Sequence, residues 1–71
     1  MNSNLQQKFG DKIKSLRLEQ SWSQEKLAEK TGFHRTYIGM IERGERNISL
    51  KNIQIFAKVF NKTISELFKN I

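Results

Sequence analysis

Between Ser23 and Asn47 the sequence gathers guanidinium, hydroxyl and amide side chains: Ser23, Gln24, Arg35, Thr36, Tyr37, Arg43, Arg46 and Asn47. Such groups donate and accept hydrogen bonds and bring positive charge, the chemistry of holding an anion or a polar edge rather than of breaking bonds. The parts for catalysis are missing from the same inventory. There is no cysteine, His34 is the single histidine, and no carboxylate pair falls in a recognisable motif. A thiolate nucleophile, an ordinary zinc site and an acid–base pair each lack their components. With 71 residues, the chain buries only roughly 60% of the surface its unfolded form exposes, too small a core to hollow out for an enclosed pocket. The expectation is a protein that is not an enzyme, works from its surface, and takes no cofactor and no small-molecule ligand.

Thirteen Lys and Arg stand against seven Asp and Glu, a formal charge of +6. An excess of this kind attracts polyanions, and nucleic acid and anionic membrane surfaces are the two common ones. The cations are spread over several segments rather than gathered on one strongly amphipathic helix, which weighs against a membrane surface. No apolar run is long enough to cross a bilayer. The N-terminal MNSNLQQKFG lacks the apolar stretch of a secretory signal. A cytoplasmic protein is expected.

The elements that must position these groups are helices. Proline is absent and four glycines punctuate the chain, while no period-two strand pattern of useful length occurs. Leu5, Phe9, Ile13 and Leu16 recur every three or four residues and predict a first helix over about Asn4 to Gln20, with Gly10 inside it at a propensity cost of ~1 kcal/mol. Ser23 is placed to cap a short second helix, Gln24 to about Lys30, which buries Leu27 and Ala28 and stops at Gly32. Trp22 before the cap is placed to staple onto Leu27. A third helix, His34 to Arg43, buries Ile38 and Ile41 and stops at Gly44. Ser49 caps a fourth carrying Leu50, Ile53, Phe56, Ala57 and Phe60. Thr63 caps a last short helix with Ile64, Leu67 and Phe68. The prediction is one all-α domain of five helices over residues 1–71, with its core at about 13–68.

Two short helices joined by a tight glycine-containing turn let the first lie across a DNA backbone while the second enters the major groove. The segment SQEKLAEKTGFHRTYIGMIERG resembles the helix-turn-helix of the phage repressor and Cro type, the XRE family, with its hallmarks at Gln24, Leu27, Ala28, Gly32, Ile38, Ile41, Glu42, Arg43 and Gly44. The similarity continues through ERNISLKNIQIFAKVF to the final SELF. The combination of RTYI with IERGERN resembles, within that family, the controller proteins of restriction-modification systems. This resemblance implies a lambda-repressor-like fold with the helix-turn-helix at 24–43, and a sequence-specific regulator of transcription binding palindromic double-stranded DNA.

It also implies roles for single residues. The third helix would present His34, Arg35, Thr36, Tyr37 and Met40 to the groove. Arg35 is the best candidate for base readout, since a guanidinium donates two parallel bonds to guanine O6 and N7. Thr36 and Tyr37 can add a thymine-methyl contact or a hydroxyl bond, and Arg46 can also reach a base. Ser23 and Gln24, at a helix N-terminus, are placed to hold phosphate oxygens. His34, Arg43 and Asn47 are assigned to phosphate as well, with Lys51 a further candidate. Glu42, an acid in a segment built to meet a polyanion, is assigned by the family pattern to an ion pair with Arg17 that fixes the angle between scaffold and reader.

Ile64, Leu67, Phe68 and Ile71 supply more apolar surface than one terminal helix hides, and a homodimer through the fourth and fifth helices, with Phe60 also at its interface, is expected to cover it. A two-fold dimer sets two reading helices about 34 to 36 Å apart, one turn of B-DNA. The alternative is an antitoxin-like module that binds DNA and a partner protein. Such antitoxins usually carry a segment to cover the toxin, and almost nothing here lies outside the fold.

Overall fold

A computed structural model describes residues 2–71. It contains five helices: α1 (Asn2–Glu19), α2 (Gln24–Thr31), α3 (Arg35–Glu42), α4 (Leu50–Val59) and α5 (Ile64–Leu67), with no strand among the described residues. The caps fall where side-chain oxygens precede the apolar runs. Ser23 Oγ accepts from the Lys26 amide, Ser49 Oγ from Asn52 and Thr63 Oγ1 from Glu66. At Thr63 the Glu66 carboxylate returns the contact by accepting from the Thr63 amide at 2.8 Å. This reciprocal box is spelled T-x-x-E in the sequence, and the bond from the Thr63 amide draws the Glu66 carboxyl below its ordinary pKa.

The helices stop by one recurring device. After α1, α3 and α4 the chain turns through a left-handed residue, Ser21, Gly44 and Asn61 respectively. In each case the next amide reaches back five residues: Trp22 to the Arg17 carbonyl, Glu45 to Met40, Lys62 to Ala57. Carbonyls that a helix end leaves unpaired are thereby satisfied. Gly32, with φ at 81°, ends α2 through a single bond to the Ala28 carbonyl, and opens the tight turn into α3.

One core joins all five helices. Phe9, Ile13 and Leu16 of α1, Leu27 and Ala28 of α2, Ile38 and Ile41 of α3, and Ile53, Phe56 and Ala57 of α4 close around it with Phe60 and Leu67. Fully buried Phe56 lies edge-on to Phe9 at 6.3 Å and tilted against Phe33 at 5.3 Å. Trp22, expected to staple onto Leu27, stacks on Phe60 with centroids 5.8 Å apart. Among the described residues no helix is long and apolar enough to cross a membrane.

Three expectations need correction. Leu5 is 55% exposed rather than part of the buried stripe; α1 and α3 cross at Gly10, where the backbone of Ile41 and Glu42 lies against it, and Leu5 stands outside that crossing. Leu50, the first residue of α4, precedes the buried turn that begins at Ile53 and is 79% exposed. Phe60 and Leu67 were expected at a dimer surface, but at 7% and 0% exposure they fill the monomer's own core. Of that group Ile64 is exposed, while Phe68 and Ile71 are half-buried, with Phe68 stacked on Phe9 at 5.2 Å.

Candidate nucleic-acid interface

The two helices of the turn are locked to the scaffold by one buried polar cluster. Arg17 of α1 grips Glu42 of α3 with the two donors of one guanidinium edge: Nε to Oε2 at 2.7 Å and Nη2 to Oε1 at 3.0 Å. Its remaining nitrogen, Nη1, donates to the Trp22 carbonyl at 2.8 Å. Gln24, at the start of α2, donates from Nε2 to Glu42 Oε1 at 3.0 Å. Three helices thus meet on one carboxylate. Both charged residues are buried, and among the described residues no buried side-chain polar atom lacks a partner. A satisfied bidentate pair of this kind fixes direction as well as distance.

Gln24 was expected to hold phosphate, and its amide nitrogen is instead bonded inward. Its place at the N-terminus of α2 is unchanged. Ser23 caps α2, leaving its hydroxyl hydrogen for an anion. His34 precedes α3 without any side-chain cap bond and is exposed.

The outward face of α3 follows from its burial pattern. Ile38 and Ile41 are in the core, so Arg35 and Thr36 stand on the opposite, exposed face. Arg35 Nε lies 3.6 Å from Glu25 Oε2 of α2, an exposed pair that holds little energy in water. Tyr37 is half-buried and supported from three sides. Its ring packs edge-on to Phe33 at 5.0 Å, its hydroxyl accepts from Asn52 Nδ2 at 3.0 Å, and the Arg46 guanidinium sits 5.3 Å over its face. Tyr37 is therefore a fixed post on α3, and Arg46 lies across it with Nη1 3.6 Å from Met40 Sδ.

The loop after α3 carries the remaining cations and amides. Arg43 donates to Glu45 from Nε at 2.9 Å and Nη2 at 3.2 Å. That hydrogen bond, with the charge attraction behind it, raises the Arg43 pKa and lowers that of Glu45. Asn47 accepts through Oδ1 from Gln6 of α1, which ties the loop to the first helix. Lys51 is exposed on the first turn of α4. The structure therefore collects Ser23, Gln24, Arg35, Thr36, Tyr37, Arg43, Arg46 and Asn47 on α2, α3 and the adjoining loop. Sequence reasoning missed Glu25, Glu45, Gln6 and Asn52, the partners of four of them. An acid or amide two to forty-one residues away in the chain carries no periodic signal that would expose such a partner.

A scaffold helix, a short capped helix and, after a tight turn at Gly32, a second short helix whose outer face is polar define a helix-turn-helix protein. Residues 13–67 match the helix-turn-helix model HTH_3, and the chain belongs to that family. Within it the chain is 51% identical over 59 residues to the control protein C.BamHI of Bacillus amyloliquefaciens, spanning 82% of this chain and 73% of the relative. The crystal structure of the restriction-modification controller protein C.AhdI from Aeromonas hydrophila superposes with a TM-score of 0.84 at 43% identity, covering 89% of this chain and 96% of that one. The controller protein C.Esp1396I, solved as a tetramer with its natural 35 base-pair operator, superposes with a TM-score of 0.82 at 37% identity, covering 92% and 86%.

Proposed function

We propose that this chain is a sequence-specific regulator of transcription that binds palindromic double-stranded operators as a homodimer in the cytoplasm, and serves as the controller of a restriction-modification system. The observation that carries the reading is the cluster of Arg17, Glu42 and Gln24. It orients α3 so that Arg35 and Thr36 face outward over an apolar anchor of Ile38 and Ile41. The similarity to control proteins, one of them solved on its operator, supports the same reading. In it, Arg35, Thr36, Tyr37 and Arg46 meet base edges, while Ser23, Gln24, His34, Arg43 and Asn47 meet phosphates. Phosphate contacts set register and base contacts set sequence.

Selection of bound sites from random duplex DNA tests it. The wild-type chain is expected to enrich two inverted half-sites whose centres lie about 34 to 36 Å apart. Arg35→Ala is expected to lose preference at one guanine in each half-site, worth about 1 to 3 kcal/mol. An unchanged preference in Arg35→Ala would remove the recognition-helix assignment.

The dimer is assigned to the surface around Ile64, 39% exposed at the start of α5, with half-buried Phe68 and Ile71 beside it. Sedimentation equilibrium at micromolar concentration is expected to give a dimer for the wild type and a monomer for Ile64→Lys. A wild type that stays monomeric would place the contact between half-sites on the DNA alone.

A further inference from the structure

Arg43 follows directly on α3, where a cation is placed to meet phosphate, yet its guanidinium is already engaged. Nε and Nη2 both donate to the Glu45 carboxylate, the two-donor edge with which arginine grips a phosphate. The other end lies over α3, with Nη1 3.1 Å from the point where a Cβ on Gly39 would stand. The backbone delivers Glu45 to this place. Its amide donates to the Met40 carbonyl at 2.9 Å, in the bond that closes α3, and Gly44 makes the turn at a φ of 73°. The pairing therefore follows from how the helix ends and is not a chance meeting of two long side chains.

We propose that Glu45 is an intramolecular stand-in for a DNA phosphate on Arg43, so that Arg43 engages the DNA backbone only by exchanging one anion for the other. The inference rests on the DNA-binding function proposed above. It makes Glu45 a positioning residue that sets affinity without touching a base. Because phosphates carry no sequence information, its effect is the same on every duplex.

Titration of the full chain against the selected operator and against a scrambled duplex, in a cycle of Glu45→Gln, Arg43→Gln and the double variant, tests the exchange. Both side chains are exposed, so the variants keep the fold, and an unchanged urea midpoint verifies it. Glu45→Gln is expected to tighten binding about two- to fivefold on both duplexes, the range an exposed ion pair spans. Arg43→Gln is expected to weaken both, and Glu45→Gln added to it is expected to change nothing. An equal gain in the Arg43→Gln background would mean that Glu45 acts only as a repelling charge, and would overturn the exchange. So would an Arg43→Gln chain that binds as well as the wild type, or a Glu45→Gln chain that gains nothing. Failure of the wild type to bind either duplex would overturn the function and the inference together, whereas binding without the gain overturns the inference alone.

Discussion

Glu42→Ala is expected to lower the stability of the domain by about 3 to 5 kcal/mol, the loss found when one partner of a buried ion pair is removed. A chain of 71 residues has roughly 4 to 11 kcal/mol in all at 0.05–0.15 kcal/mol per residue, so this single change takes about a quarter of it or more. The cause lies in what is left behind. Arg17 keeps its bond to the Trp22 carbonyl, but Nε and Nη2 lose both acceptors in a site that is 7% exposed, and the Gln24 amide loses its acceptor as well. A urea midpoint shifted by less than ~1 kcal/mol equivalent would mean that water reaches the site and that the pair is not holding α3. Replacing both partners, Arg17→Met with Glu42→Leu, is expected to recover most of the loss, because a buried pair exchanged for packed apolar groups is often neutral. The recovered fold would still bind DNA poorly, since Gln24 and α3 would no longer share an anchor.

That contrast shows what the sequence could reveal about this molecule. Arg17 and Glu42 are legible together only through the resemblance, for they lie twenty-five positions apart and neither repeats. The apolar period located Ile38 and Ile41, and with them the outward face of Arg35 and Thr36. Gly32 and Gly44 marked helix ends because only a left-handed residue lets the chain turn there. Other features depend on which surfaces meet in space. Leu5 and Leu50 share the apolar period of their helices but lie beyond the packed crossings, so period alone assigns them to the core. Leu67 was read as surplus apolar surface and Phe60 was placed with it at the dimer interface, although the core of a small domain needs both; Leu67 has no exposure at all. The acids and amides that engage Arg35, Arg43, Tyr37 and Asn47 were invisible for a different reason. A hydrogen-bond partner is chosen by a few ångströms of geometry, and residue type alone permits many.

Gly10→Ala is the change for which sequence and structure give opposite signs. In the interior of α1, alanine is favoured over glycine by about 1 kcal/mol from helix propensity, which predicts a more stable protein. In the fold, however, a Cβ on residue 10 would stand 2.2 Å from the Ile41 carbonyl oxygen and 2.9 Å from that of Glu42. These are backbone atoms of α3, and no rotamer change moves them aside. The two helices must separate, and a methyl group forced into a packed contact costs about 1 to 3 kcal/mol, more than the propensity gain at the upper end and with little room for relaxation here. The same separation pulls Glu42 away from Arg17, because one of the two carbonyls struck belongs to the residue that carries the ion pair. Gly10→Ala is therefore expected to be destabilising by ~2 kcal/mol in urea unfolding and to weaken operator binding beyond the fraction unfolded. A midpoint equal to or above that of the wild type would show that α1 and α3 are not pressed together at this point. The angle of the reading helix would then rest on side chains alone.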